Sequence, residues 1–195
     1  MNERNKRFNK DYLIGKNAEN VFEYIINSMD DWEIINYGVE NHIKELKRNL
    51  KTDYSEVAEK IRHMPDFVVL NKKENKLMFF EVKRAFIKKE NGKELFGFKK
   101  NQIDKYLTFW KETKLFLVHK EVPYFFIIDL KDVDVNKNKA KSNMRFDSEN
   151  SMNNSLMDLW DFKDNKKDLK EIFSNLSEEI IKEAKKGILI MEQDK

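Results

Sequence analysis

The chain has 195 residues, 40% hydrophobic and 37% charged, with a net charge of +3, no cysteine and three histidines. That length suits one domain with a core of ordinary size, and the residue types exclude a disulfide framework or thiolate metal site and argue against a zinc cluster, so any metal is expected among oxygen ligands. No apolar stretch is long enough to cross a bilayer, and the opening MNERNKRFNK lacks the apolar core of a signal peptide, so a cytoplasmic protein is expected.

Residues 1–14 read as a polar arm. From Gly15, Ala18, Val21, Phe22, Ile25, Ile26 and Met29 recur at helical spacing and form one apolar stripe, with Glu19 on its flank. Trp32–Tyr37 reads as a strand. Residues 39–63 read as a helical insertion, one broken helix or two short ones, with Ile43, Leu46, Leu50, Tyr54, Val57, Ala58 and Ile61 at helix-compatible intervals. Phe67–Leu70 and Leu77–Val82 are short apolar runs joined by a polar turn, the pattern of a β-hairpin. Residues 84–100 read as a basic, glycine-punctuated loop leading to a helix near Asn101–Glu112. On that helix Gln102 and Tyr106, four residues apart, share a face.

Leu115–His119 and Tyr124–Leu130 read as further strands, and 131–155 as a long polar loop. A C-terminal helical extension over 156–195 is expected to contain an amphipathic helix, Asp168–Lys186, ended by Gly187. Ile188–Met191 would then add a short strand or dock on the core. Leu156, Leu159, Trp160 and Phe162 would hold the helix down or form a partner surface. The sum is a single α/β domain over 1–195 with a mixed central sheet flanked by helices.

The chemistry concentrates in the hairpin. Side chains alternate along a strand, so Phe79, Glu81 and Lys83 point one way while Met78, Phe80 and Val82 point the other. Asp66 opens the paired strand directly after Pro65. Carboxylates converging beside a lysine suit a hard divalent cation, because Mg²⁺ prefers oxygen ligands and keeps several waters. Such an ion polarises a phosphoryl oxygen and lowers the pKa of bound water, while a lysine orients the nucleophile or neutralises developing charge. The charge distribution agrees: residues 72–120 hold 14 Lys/Arg against 6 Asp/Glu, a local +8, whereas 1–40 and 121–195 each come to −3. A basic stretch around two metal-ligating acids favours a polyanionic substrate, and its lysine-rich character favours phosphate contact over base reading.

Pro65-Asp66, fourteen intervening residues and Glu81-Val82-Lys83 resemble, in order, spacing and strand context, the core motif of the PD-(D/E)xK nuclease superfamily, over roughly residues 15–130. The resemblance implies a restriction-endonuclease-like core. In it Asp66, Glu81 and the Val82 carbonyl would ligate Mg²⁺ or Mn²⁺, and Lys83 would assist the attacking water. Glu19, in the string GKNAENVF, matches the glutamate that many members carry on the first core helix, where it joins the metal site. Gln102 and Tyr106 resemble the Gln-x-x-x-Tyr motif of the RecB-like branch. Arg84, Lys88, Lys89, Lys99 and Lys100, with Tyr106, are the candidate nucleic-acid contacts. The implied function is a metal-dependent DNA nuclease; the alternative is a catalytically idle nucleic-acid-binding or assembly subunit of the same fold. RNA as substrate, a homodimer and a partner protein remain open at this point.

Overall fold

The computed structural model describes residues 16–36, 50, 52–90, 93–99, 101–119, 122, 124–140 and 157–193. Helix α1 (residues 16–27) carries the expected stripe, with Ala18, Val21, Phe22, Ile25 and Ile26 all buried. After β1 (Trp32–Asn36) come helix α2 (Glu56–Arg62), β2 (Phe67–Asn71), β3 (Lys76–Arg84), β4 (Phe86–Glu90) and β5 (Lys93–Lys99). Helix α3 (Gln102–Phe109) leads to β6 (Lys114–Val118), β7 (Phe125–Asp129), the one-turn helix α4 (Val135–Asn138) and β8 (Lys139–Ala140). The chain closes with β9 (Met157–Asp161), β10 (Lys166–Lys167), the short helix α5 (Leu169–Ile172) and α6 (Glu178–Gln193).

Six strands form a mixed sheet in the order β1-β2-β3-β6-β7-β10, in which only β3 and β6 run parallel. The β2–β3 hairpin matches expectation, with Phe67 opposite Phe80 and Asn71 opposite Lys76. Its turn is built by asparagines. The Asn71 side chain accepts hydrogen bonds from the Lys73 and Glu74 amides at 3.1 and 3.2 Å, and Asn75 takes the left-handed conformation, φ 50°, which asparagine tolerates better than most residues.

The two faces of this sheet have different covers. On one, α1 and α6 pack with Phe173 over Phe67, Phe80, Val82 and Phe116. The Phe22 ring centroid lies 5.3 Å from Phe67, 5.0 Å from Phe80 and 4.7 Å from Phe116, so one side chain of α1 ties three strands together. Such pairs add about 0.5–1.5 kcal/mol each beyond the area they bury. On the other face, Leu115, Leu117, Phe126 and Ile128 meet Ile103 and Tyr106 of α3 and the aromatic residues Phe96, Phe98, Trp160 and Phe162.

Most of those aromatics belong to a second sheet, β4-β5-β9-β8, which the sequence reading did not anticipate. The segment expected as a basic loop, 84–100, supplies two of its antiparallel strands, β4 and β5. The lysines at the end of β4 and at both ends of β5 hid the Phe-Ile and Leu-Phe-Gly-Phe runs, although the Asn-Gly between Glu90 and Lys93 in sequence is a strong hairpin signal. The expected loop after residue 130 begins with a 3-10 turn, Leu130–Asp132, then α4 and β8; residues 141–156 lie outside the described ones, as does most of the first half of the 39–63 insertion. Leu159, Trp160 and Phe162 are buried within the chain, so they pack inward.

The C-terminal helix is corrected in two places. It starts as expected, with Asp168 and Glu171 forming a reciprocal capping box on α5, but it breaks between Ile172 and Glu178, where the Leu176 amide donates to the Phe173 carbonyl at 3.0 Å and Ser177 Oγ accepts from the Ile180 amide at the start of α6. Nor does Gly187 end it: α6 runs through Gly187 and the 188–191 stretch to Gln193. At that glycine a Cβ would stand 3.1 Å from Val21 Cγ2, so the missing side chain permits close approach of α6 to α1 and does not terminate the helix. Gly187→Leu is therefore expected to destabilise the protein by about 1–3 kcal/mol in urea unfolding. Gly187→Ala, which gains about 1 kcal/mol of helix propensity but must displace Val21, is expected to stay near the parent value.

Candidate active site

The strands β2 and β3 part where the site begins. Phe67 faces Phe80 in the last register pair; beyond it β2 would offer Pro65, which has no N–H to give a ladder. The side chain of Asp66 takes over, its Oδ2 accepting from the Val82 amide at 2.9 Å. Asp66 is thus anchored to the backbone of the residue between Glu81 and Lys83. The alternation expected for β3 holds: Phe80 and Val82 enter the α1 face, while Phe79 on the other face meets Trp110, at the end of α3, at 5.4 Å.

Glu81 is 2% exposed and forms an ion pair through Oε1 with the Lys83 ammonium. Its other oxygen, Oε2, is buried without a hydrogen-bond partner. An ionised carboxylate in that position is costly unless compensated. Burial, reinforced by the charge of Asp66, pushes the Glu81 pKa up to about 7, against the pull of Lys83 and Tyr106 toward ionisation. Burial works against the Lys83 ammonium, but Glu81, Tyr106 and Asp66 outweigh it and hold its pKa well above the ordinary value. Tyr106 is 4% exposed, and burial, followed by the charge of Glu81, keeps its phenol protonated far above the usual range. Gln102 Nε2 reaches the Tyr106 hydroxyl at 3.5 Å. The sequence-predicted residues Asp66, Glu81, Lys83 and Tyr106 therefore form one cluster, with Gln102 behind it.

Helix α2, which leads into Asp66, is fastened to α3, which carries Tyr106. Trp110 Nε1 donates to the Lys60 carbonyl at 3.0 Å, the Lys60 ammonium sits 5.4 Å from the centroid of the Trp110 ring, and Lys105 pairs with Glu59 at 2.9 Å. Lys105 and Arg62 hold the Glu59 carboxyl at about 2. The sequence reading named none of these as site supports; the one available signal was that Trp110, four residues after Tyr106, shares its face of α3.

Other expected residues stand apart. Glu19 is on α1, over the Phe80 and Val82 face, and pairs with Lys16 at 2.8 Å. Among the described residues no group of three or more His, Asp and Glu is placed to hold a metal ion, so Glu19 is not brought together with Asp66 and Glu81. Tyr106 is too buried to offer its ring to a nucleic acid; its hydroxyl is directed to Glu81. Arg84 ends β3 and is partly buried. Lys88 and Lys89 lie on β4 and Lys99 on β5, while Lys100 falls outside the described residues. A cation here would rest on Asp66, the orphaned Glu81 oxygen, backbone oxygen such as that of Val82, and water. That donor set fits Mg²⁺ or Mn²⁺, which accept few protein ligands.

No protein-family model, curated protein or solved structure matches the chain. The described residues include no helix long and apolar enough to cross a membrane.

The buried carboxyl sets a pH dependence. Because the folded pKa of Glu81 is raised from 4.5 to about 7, its contribution to stability is complete below the lower value and is lost as the pH rises through the higher one. Without metal, thermal stability is expected to fall from about pH 5 to about pH 8, by up to about 3 kcal/mol. Glu81→Gln, which stays neutral, is expected to flatten that profile, and superimposable melting curves for the two proteins across this range would show that the carboxyl is not held as described.

Proposed function

We propose that the protein is a metal-dependent nuclease that hydrolyses phosphodiester bonds of DNA. The observation that carries this reading is the assembly of Asp66, Glu81, Lys83 and Tyr106 into one cluster where β2 and β3 part, with a carboxylate oxygen left without a partner. The resemblance to the PD-(D/E)xK superfamily, and with it a restriction-endonuclease-like core, supports the reading from the sequence side.

Asp66 and Glu81 would hold Mg²⁺ or Mn²⁺, which supplies Lewis acidity at a phosphoryl oxygen and lowers the pKa of a bound water. Lys83 is a pure donor with its side chain 31% exposed, so it reaches from the buried acid toward solvent, where it can face a phosphate and stabilise the charge that grows on its oxygens. Tyr106, kept protonated, donates toward Glu81 and fixes its orientation. Gln102 steadies that hydroxyl, and the α2–α3 fastening fixes the approach of Asp66. The +8 of residues 72–120 draws the polyanion to this region.

Purified protein is expected to nick or cut DNA with Mg²⁺ or Mn²⁺ and to be silent in EDTA. Asp66→Asn and Glu81→Gln are each expected to lower the cleavage rate at least about 100-fold while folding and DNA binding persist. Metal-dependent cleavage surviving in both variants would place the chemistry elsewhere. Absence of cleavage on linear, supercoiled, single-stranded and branched DNA would favour a binding or assembly subunit.

Binding is expected to weaken linearly in log–log form as salt rises, since phosphate contacts release counterions. A titration at fixed pH from low to physiological salt measures the slope, and a flat line would remove nucleic acid as the partner.

A further inference from the structure

The same two acids that suit a divalent cation already have a cation beside them. Lys83 reaches Glu81 from two positions along the same strand, and its ammonium pairs with Oε1. Glu81 is almost fully enclosed, whereas the Lys83 side chain is 31% exposed, so of the two partners the lysine is the one with a route to solvent. Oε2 has no hydrogen-bond partner, so even with the Tyr106 hydroxyl directed to Glu81 the carboxylate is incompletely compensated. Lys83 is thus a singly charged partner of a carboxylate whose second oxygen it does not serve.

We infer that Lys83 is the resident counter-cation of the Asp66–Glu81 pair, and that a divalent ion entering the site displaces its ammonium from Glu81 toward the solvent side. Resting on the nuclease reading, this inference adds a regulatory property to it: the lysine lowers the affinity for the metal and is released for use on the phosphate only once the metal has arrived. The electrostatics run in one direction. Asp66, Glu81 and Lys83 together carry about one negative charge when ionised, and removing the ammonium leaves about two, which attract a divalent ion more strongly at short range. An isolated metal-free protein gains from the pair because it avoids an unpartnered buried carboxylate. No bond is made or broken in the exchange; one ammonium moves and one ion enters.

The test is Mn²⁺ binding to the full chain without nucleic acid, measured by calorimetry at fixed pH and salt, with circular dichroism melts to confirm folding. Lys83→Met, which keeps the length of the side chain and removes its charge, is expected to bind Mn²⁺ at least about tenfold more tightly than the parent. Lys83→Arg, which keeps the charge, is expected to stay near the parent value, while Asp66→Asn and Glu81→Gln are expected to lose binding. Equal or weaker binding by folded Lys83→Met, with binding still lost in the acid variants, would overturn the displacement and leave the nuclease reading standing. If neither the parent nor Lys83→Met bound Mn²⁺ at millimolar concentration, both would fall. Should Lys83→Met fail to fold, a crystal structure of the parent soaked in Mn²⁺ decides the question: an ammonium still paired with Glu81 beside a bound ion overturns the inference, and one turned away from it supports it.

Discussion

Everything around the candidate site answers to one constraint, the burial of the Glu81 carboxyl. A charge there must be matched by donors and cations that reach it, and the structure provides them from two directions. Lys83 comes from the same strand, Tyr106 from α3, and Asp66, of like charge, is held off by its bond to the Val82 amide. The compensation is incomplete, as the orphaned oxygen and the raised pKa both register. An incompletely compensated buried acid is a poor way to stabilise a fold and a good way to hold a ligand.

The scaffold makes that cost bearable. Strand β3 sits inside the sheet between β2 and β6, and its α1-facing residues join an aromatic cluster centred on Phe22. The hydrophobic contribution of that side anchors a strand whose other side carries charge. Aromatic residues of α3, β5 and β9 then close the remaining face, and the chain passes from β3 into β4 with only Ala85 between them. Strand β3 therefore enters the second sheet almost without interruption, and Arg84, Lys88, Lys89 and Lys99 are carried on strands.

Local periodicity made the hairpin legible in the sequence. Two apolar runs, a polar turn and a Glu-x-Lys alternation were sufficient to place Asp66, Glu81 and Lys83 together, and helical spacing did the same for Gln102 and Tyr106. Features that depend on distant partners were not. The second sheet pairs β5 with β9, some sixty residues later, and no window around 84–100 contains that partner. Gly187 looked like a helix end because the reason for it, Val21, is more than 160 residues away. Glu19 was placed on the flank of the right stripe, but the stripe fixes only which side of α1 is buried. It does not tell on which face of the sheet α1 lies, and that face is the one Glu81 turns away from.

The alternation of β3 also protects the molecule against mispairing. Phe80 and Val82 face the ring cluster around Phe22, while Phe79, Glu81 and Lys83 face the other side. A hairpin that closed one residue out of register would turn all of them over, driving a carboxylate and an ammonium into the ring cluster around Phe22 and delivering Phe80 to the acid pocket. The charged residues that make the strand expensive to bury thus act as its proofreading, because the pairing in which they are tolerable is the one seen, with Phe67 opposite Phe80.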